Sequence, residues 1–190
     1  MATVRAGDQA VLVIVDVQAG VMREAWDSPR IIGNVARVVE RARDERVPVI
    51  WVQHADNDLP YGSAEWKWVP ELAPAEGEPV VHKNFNSSFE QTNLEQELAR
   101  LGATHIVLAG AATNWCIRAT AYGALDRGYD LTLVKDAHTT GTMELDNGTK
   151  IDAARVVDEL NIAMKWLSYP GRTNGTAAAE EINFANSGGT

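Results

Sequence analysis

Five stretches of this 190-residue chain are almost unbroken apolar runs: AVLVIVD (10–16), VPVIWVQH (47–54), PVVHK (79–83), THIVLAG (104–110) and YDLTLVKD (129–136). A strand with one wet face alternates apolar and polar positions, whereas a strand covered on both faces of a parallel sheet reads as a continuous run. The five runs are therefore predicted to be buried strands of one parallel sheet. Between them the period changes. Ile31, Ile32, Val35, Val38, Val39 and Ala42 share one stripe of a helix. Thr92 and Glu95 have the Thr-x-x-Glu spacing of a capping box ahead of Leu94, Leu98 and Leu101. Ile117, Ala121, Ala124 and Leu125 form a third stripe closed by Gly128 in a C-cap position, and Ile151, Ala154, Val157 and Leu160 a fourth, over 151–167. Strand and helix alternating in this way predict a doubly wound α/β domain with right-handed crossovers.

Two segments stand outside the alternation. Residues 55–78 are rich in Pro, Asp, Glu and Trp, and a connection of that length in a compact domain usually serves as a lid or binding loop. Its Trp66 and Trp68 are expected on a lid or against a second subunit. The domain is expected to span 1–168. The remainder, 169–190, is rich in Gly, Asn, Ala and Thr and reads as a mobile tail, or one docked through Ile182 and Phe184.

Charge and cysteine content narrow the partners. Seventeen Lys and Arg against 26 Asp and Glu give a formal net charge of −9, which repels nucleic acid and anionic membrane surfaces. The N-terminal MATVRAGDQA lacks the basic-then-apolar pattern of a leader peptide, and a cytoplasmic protein is expected. A single cysteine makes no internal disulfide.

Ligands of open α/β sheets bind beyond the carboxyl ends of the strands. Three polar residues are predicted there: Asp16 at the end of the first run, Lys83 at the end of the third, and Cys116 at the start of the helix after the fourth. Asp16 interrupts an apolar run where an unpaired carboxylate is costly to bury. Gly110, Ala111 and Ala112 permit a sharp strand-to-helix turn whose backbone N–H groups suit an oxyanion. A helix N-terminus and an ammonium each favour a thiolate, so Cys116 is expected to have a lowered pKa.

The segment GAATNWCIRAT (110–120) resembles the Gly-x-x-Thr-(Asp/Asn)-x-Cys-(Val/Ile)-x-x-Thr motif of the isochorismatase-like cysteine hydrolases, a superfamily that includes nicotinamidases and N-carbamoylsarcosine amidohydrolase. The likeness extends to VIVDVQAGV, HKNFNSSFEQTNLEQEL and VKDAHTT, covering roughly residues 10–167. It implies a three-layer sandwich with a mostly parallel six-stranded sheet, and an Asp16, Lys83, Cys116 triad. It also implies a cis peptide between Ala111 and Ala112, an oxyanion hole made by the N–H groups of Ala112 and Cys116, and a homo-oligomer, a dimer or tetramer. In such a triad the thiol attacks an amide-like carbonyl and the carboxylate shuttles the proton.

Departures from relatives refine the expectation. Metal-binding nicotinamidases carry Asp-x-His plus a further His after the second strand; here His54 precedes Asp56 by two residues and the loop holds no second His. That is too few good ligands for a zinc site, so neither metal nor other cofactor is expected, and His54 reads as a locally hydrogen-bonded strand-end residue. Members that lack the cysteine hydrolyse the vinyl ether of isochorismate, whereas Cys116 is present. The expected pocket wall is Gln18, Gln53, Phe85, Phe89, Trp115 and His138, a lining suited to a small, flat or neutral ligand. The leading expectation is C–N bond hydrolysis of a small amide, carbamoyl or imide substrate. The alternatives are a vinyl-ether hydrolase, whose dicarboxylate substrate requires cations the wall lacks, and a non-catalytic small-molecule binding protein.

Overall fold

The apolar runs pair as neighbours. In a computed structural model, which describes residue 2 and residues 5–184, they form β1 (Gln9–Val15), β2 (Val49–His54), β3 (Val80–Lys83), β4 (Ala103–Ala111) and β5 (Asp130–Thr139). All pair in parallel, with Leu12 opposite Val49 on one side of β1 and Val107 on the other. Successive residues of β1 supply opposite layers, as the pleat requires. Leu12 and Ile14 pack with Ile31, Val35 and Val38 of α2 (Ser28–Asp44), which follows the one-turn α1 (Ala19–Met22). Val11, Val13 and Val15 face the layer of α3 (Leu94–Arg100), α4 (Arg118–Asp126) and α5 (Ala153–Trp166). A ribbon of β6 (Met143–Glu144) and β7 (Lys150–Ile151) lies between β5 and α5.

The sixth strand of the sheet is β8 (Asn174–Ala177), which pairs in parallel with β5 and completes the order β3-β2-β1-β4-β5-β8. It lies in the segment that the sequence reads as a tail outside the domain. Its sequence, NGTA, has no apolar run because an edge strand is paired on one side only and is here only half buried. Docking follows immediately: Ile182 and Phe184 are buried with α2 residues. Residues 185–190 of the expected tail lie outside the described residues.

Two helix starts also differ from expectation. Thr92 Oγ1 donates to the Ser88 carbonyl at 2.6 Å, and Glu95 is drawn into ion pairs with Arg5 at 2.6 Å and Arg127 at 3.3 Å, so the capping box does not form. α5 begins only after Ile151, with the Asp152 side chain accepting from the Arg155 N–H at 3.2 Å. Its buried stripe is Ala153, Val157, Leu160 and Met164. Among the described residues no helix is long and apolar enough to cross a membrane.

Candidate active site

The strand order places the crossover reversal between β1 and β4: β2 and β3 lie on one side, β5 and β8 on the other. Beyond the carboxyl ends of such a pair the connecting segments diverge and leave a crevice, the usual ligand site of an open α/β sheet. Asp16 follows β1 there, and Cys116 follows β4. Lys83 arrives from the edge strand β3, and its long side chain spans the end of β2 to reach them.

The three predicted residues meet. Lys83 Nζ lies 2.7 Å from Asp16 Oδ2 and donates to Cys116 Sγ at 3.2 Å. The Lys83 and Asp16 side chains are 0% and 2% exposed, and Cys116 is 8% exposed. Asp16 adopts a positive φ of 51°, uncommon for a residue with a side chain. Its Oδ1 is buried without a hydrogen-bond partner among the described residues. A third acceptor faces the ammonium: His54 Nδ1, 3.3 Å from Lys83 Nζ.

Backbone geometry at the end of β4 explains why the nucleophile candidate sits where it does. Gly110 has φ +125°, and a Cβ there would stand 2.0 Å from the Val15 carbonyl oxygen, so only glycine lets β4 lie against the end of β1. The Ala111–Ala112 peptide is cis. The chain then enters a π-helical turn, Thr113–Ile117, in which the Ala112 carbonyl accepts from both Trp115 and Ile117 N–H groups at 3.1 Å. Such single-turn wide helices recur at functional sites. The turn is fastened to β5: Thr113 Oγ1 is 2.9 Å from His138 Nδ1, and the Thr140 hydroxyl donates to Asn114 Oδ1 at 2.6 Å. Thr113, Asn114 and Thr140 were legible only as motif positions; the structure gives them a positioning task.

Burial reverses the expected direction of the Cys116 pKa. The thiol is pushed up to about 12, first by burial and then by the facing Asp16 carboxylate, and Lys83 offsets only part of this. Asp16 is itself raised, by burial more than Lys83 lowers it. The thiol therefore keeps its proton at rest, and the Lys83–Asp16 ion pair leaves the buried cluster neutral overall, which limits the cost of desolvation.

The expected pocket wall is revised. Gln18 Nε2 donates to the carbonyls of His54 at 3.0 Å and Trp66 at 2.8 Å, and its Oε1 accepts from the His54 N–H at 2.9 Å. Gln53 Nε2 donates to the same Trp66 carbonyl at 2.8 Å. Both amides are buried and tie the long loop down, because a buried amide takes the nearest main-chain partners. His138 is fully buried with its ring nitrogens on Thr113 and on Asn161 at 3.1 Å. Phe89 lies in the core against Tyr129, with the Arg127 guanidinium 4.7 Å from its ring centre. Only Phe85 and Trp115, 47% and 53% exposed, keep faces open to a ligand.

The 55–78 loop is strapped over the end of β1. Ala19 and Gly20 N–H groups donate to Lys67 and Glu65 carbonyls at 2.8 Å, and Trp68 packs edge-on against Trp51 in the interior. A cavity of about 290 Å³ opens beneath it, lined by Gly20, Arg23, His54, Asp56, Asp58 and Glu65 among others. His54 thus stands between this cavity and Lys83. Among the described residues no group of three or more His, Cys, Asp or Glu side chains is placed to hold a metal ion.

Sheet order, helix layers and a polar cluster at the switch point define an isochorismatase-like hydrolase class of α/β sandwich. The family profile described as Isochorismatase domain matches residues 10–159, and the chain belongs to the isochorismatase family. It is 30% identical over 157 residues to the uncharacterized isochorismatase family protein YrdC of Bacillus subtilis, covering 78% of this chain and 83% of that one. The crystal structure of an isochorismatase from Pseudomonas putida KT2440 superposes with a TM-score of 0.81 at 26% identity, covering 90% of this chain and 89% of that one. The N-carbamoylsarcosine amidase of Thermoplasma acidophilum superposes with a TM-score of 0.70, also at 26% identity, covering 92% and 98%.

Proposed function

We propose that this protein hydrolyses a C–N bond of a small amide, carbamoyl or imide substrate through a covalent acyl intermediate on Cys116, without a metal ion. The observation that carries this is the single buried ammonium of Lys83 bonded to both a carboxylate and a sulfur. Attack begins with the proton on the thiol. As Sγ bonds to the substrate carbonyl carbon, Asp16 takes that proton, and its partnerless Oδ1 is a buried acceptor suited to receive it. The carbonyl π electrons move onto oxygen, where the N–H groups of Ala112 and Cys116 are the proposed donors. The negative charge thus passes from carboxylate to oxyanion while Lys83 remains cationic, so the cluster never gains net charge.

Collapse of the tetrahedral species breaks the C–N bond, and Asp16 returns the proton to the departing nitrogen. Water then attacks the thioester with its proton going to Asp16; the acid leaves, and the sulfur regains the proton. The sum is one amide and one water to one acid and one amine. A similar N-carbamoylsarcosine amidase supports a carbamoyl or amide substrate. Phe85 and Trp115 offer flat apolar faces for the substrate body.

The test is a mass-spectrometric turnover screen of wild type and Cys116→Ala against N-carbamoyl amino acids, ureido compounds, aromatic amides, nicotinamide and isochorismate, with and without chelator. Amide or carbamoyl turnover that resists chelator and vanishes in Cys116→Ala supports the proposal. Turnover of isochorismate alone, surviving in Cys116→Ala, overturns it.

A further inference from the structure

An ammonium group has three N–H bonds, and Lys83 meets three acceptors: Asp16 Oδ2, Cys116 Sγ and His54 Nδ1. The first two belong to the chemistry proposed above; the third does not. Lys83 is completely shielded, so an N–H deprived of this acceptor is left in a dry interior, and the ammonium is free to rotate away from carboxylate and sulfur. His54 accepts at Nδ1 only when the imidazole proton is on Nε2. Asp56 Oδ2, 2.9 Å from Nε2, is the acceptor that fixes this tautomer. The other Asp56 oxygen accepts the N–H groups of Asp58 at 2.9 Å and Leu59 at 2.8 Å, which pins the carboxylate in place. His54 is clamped as well: Gln18 bonds to both its N–H and its carbonyl.

We propose that His54 and Asp56 are a positioning pair: Asp56 holds His54 in the Nε2–H tautomer, and His54 Nδ1 takes the third N–H of Lys83, aiming the other two at Asp16 and Cys116. This rests on the hydrolytic reading of the Asp16, Lys83, Cys116 cluster. It also accounts for the buried Gln18, whose amide holds the His54 backbone and the strap together. Neither His54 nor Asp56 touches the reacting atoms; both act through Lys83.

The test uses iodoacetamide alkylation, which reports on one thiol because Cys116 is the only cysteine. Lys83 favours the thiolate, so misplacing it slows alkylation. At pH 9, Lys83→Met is expected to react more than about tenfold slower than wild type, and His54→Leu about fivefold slower, in line with the net loss of one ordinary hydrogen bond felt indirectly through Lys83. His54→Asn sets an amide oxygen near the place of Nδ1 and is expected to restore the rate to within about twofold of wild type. Asp56→Asn keeps an oxygen for the Asp58 and Leu59 N–H groups and turns its NH₂ toward Nε2. That forces the proton onto Nδ1, facing the ammonium, and alkylation is expected to fall about fivefold. In the His54→Asn background there is no tautomer to fix, so adding Asp56→Asn is expected to change nothing.

Slow alkylation in His54→Leu and Asp56→Asn, with recovery in His54→Asn and no further loss in the double variant, supports the pair. Wild-type rates in His54→Leu, or equal losses in His54→Asn and His54→Leu, overturn it while a slow Lys83→Met leaves the hydrolytic reading intact. A wild-type rate in Lys83→Met overturns both. Should His54→Leu fail to fold, the comparison of Asp56→Asn in the two backgrounds decides.

Discussion

Replacing Asp16 with asparagine is expected to move two rates in opposite directions. Asparagine has the same shape and tolerates the left-handed φ of 51° at this position, so the substitution removes charge and basicity while keeping the backbone. Asp16 Oδ2 and Cys116 Sγ both lie on Lys83 Nζ, at 2.7 and 3.2 Å, and are therefore no more than about 6 Å apart. At an effective dielectric of about 20, two negative charges at that separation repel by about 3 kcal/mol, equivalent to about 2 pKa units. Loss of this repulsion brings the thiol down from about 12, and at pH 8 raises the thiolate fraction about a hundredfold. A less basic thiolate is also a weaker nucleophile, by about tenfold over two units, so alkylation is expected to accelerate about tenfold. Turnover loses its proton shuttle and is expected to fall by about 10²–10⁴-fold. Alkylation is followed by intact mass at pH 8, and turnover on whichever amide the wild type hydrolyses. Slower alkylation in Asp16→Asn, or turnover near wild type, refutes the charge distribution assigned to this cluster.

Three further outcomes test other parts of the site. Gly110→Ala forces a Cβ to within 2.0 Å of the Val15 carbonyl oxygen at a φ of +125°, and is expected to cost more than about 4 kcal/mol by denaturant titration; a loss under about 1 kcal/mol refutes the close approach. Burial holds the His138 pKa down, at about 4, so below about pH 6.5 the unfolded chain takes up a proton that the folded one refuses. Stability from this group is present above pH 6.5 and is lost as pH falls toward 4, by about 3 kcal/mol in all. Urea midpoints of wild type should therefore drop over that window relative to His138→Gln, and parallel curves exclude the linkage. Asp16 must be ionised to accept the thiol proton, and burial raises its pKa. The acid limb of kcat/KM is thus expected above the ordinary aspartate range, and a limb at or below that range contradicts Asp16 as the base.

What the sequence revealed depended on whether a residue's task is local. Asp16 and Lys83 each end an apolar run, so strand periodicity alone delivered them to the carboxyl edge, and Gly110 announced the turn before Cys116. The strand β8 was invisible because NGTA buries little and is held by main-chain pairing to β5. Gln18, Gln53 and His138 occupy strand ends too, but their partners, the Trp66 and His54 main chain, Thr113 and Asn161, come from elsewhere in the chain, and with those partners each belongs to the interior. The thiol pKa went astray for a related reason: a helix start and a lysine are visible in sequence, whereas the depth of burial and the opposing carboxylate are products of packing.

Lys83 rides on a four-residue strand that has one neighbour, while Asp16 and Cys116 extend from β1 and β4 at the centre of the sheet. Sheet margins open more readily than sheet centres. The protein can therefore lose its ammonium by a local fraying event that leaves the core and most of its secondary structure in place. On the proposed hydrolytic reading, gentle heating is expected to abolish turnover ahead of the cooperative melt, and reinforcing the β2–β3 margin, with the interior unchanged, is expected to postpone that loss.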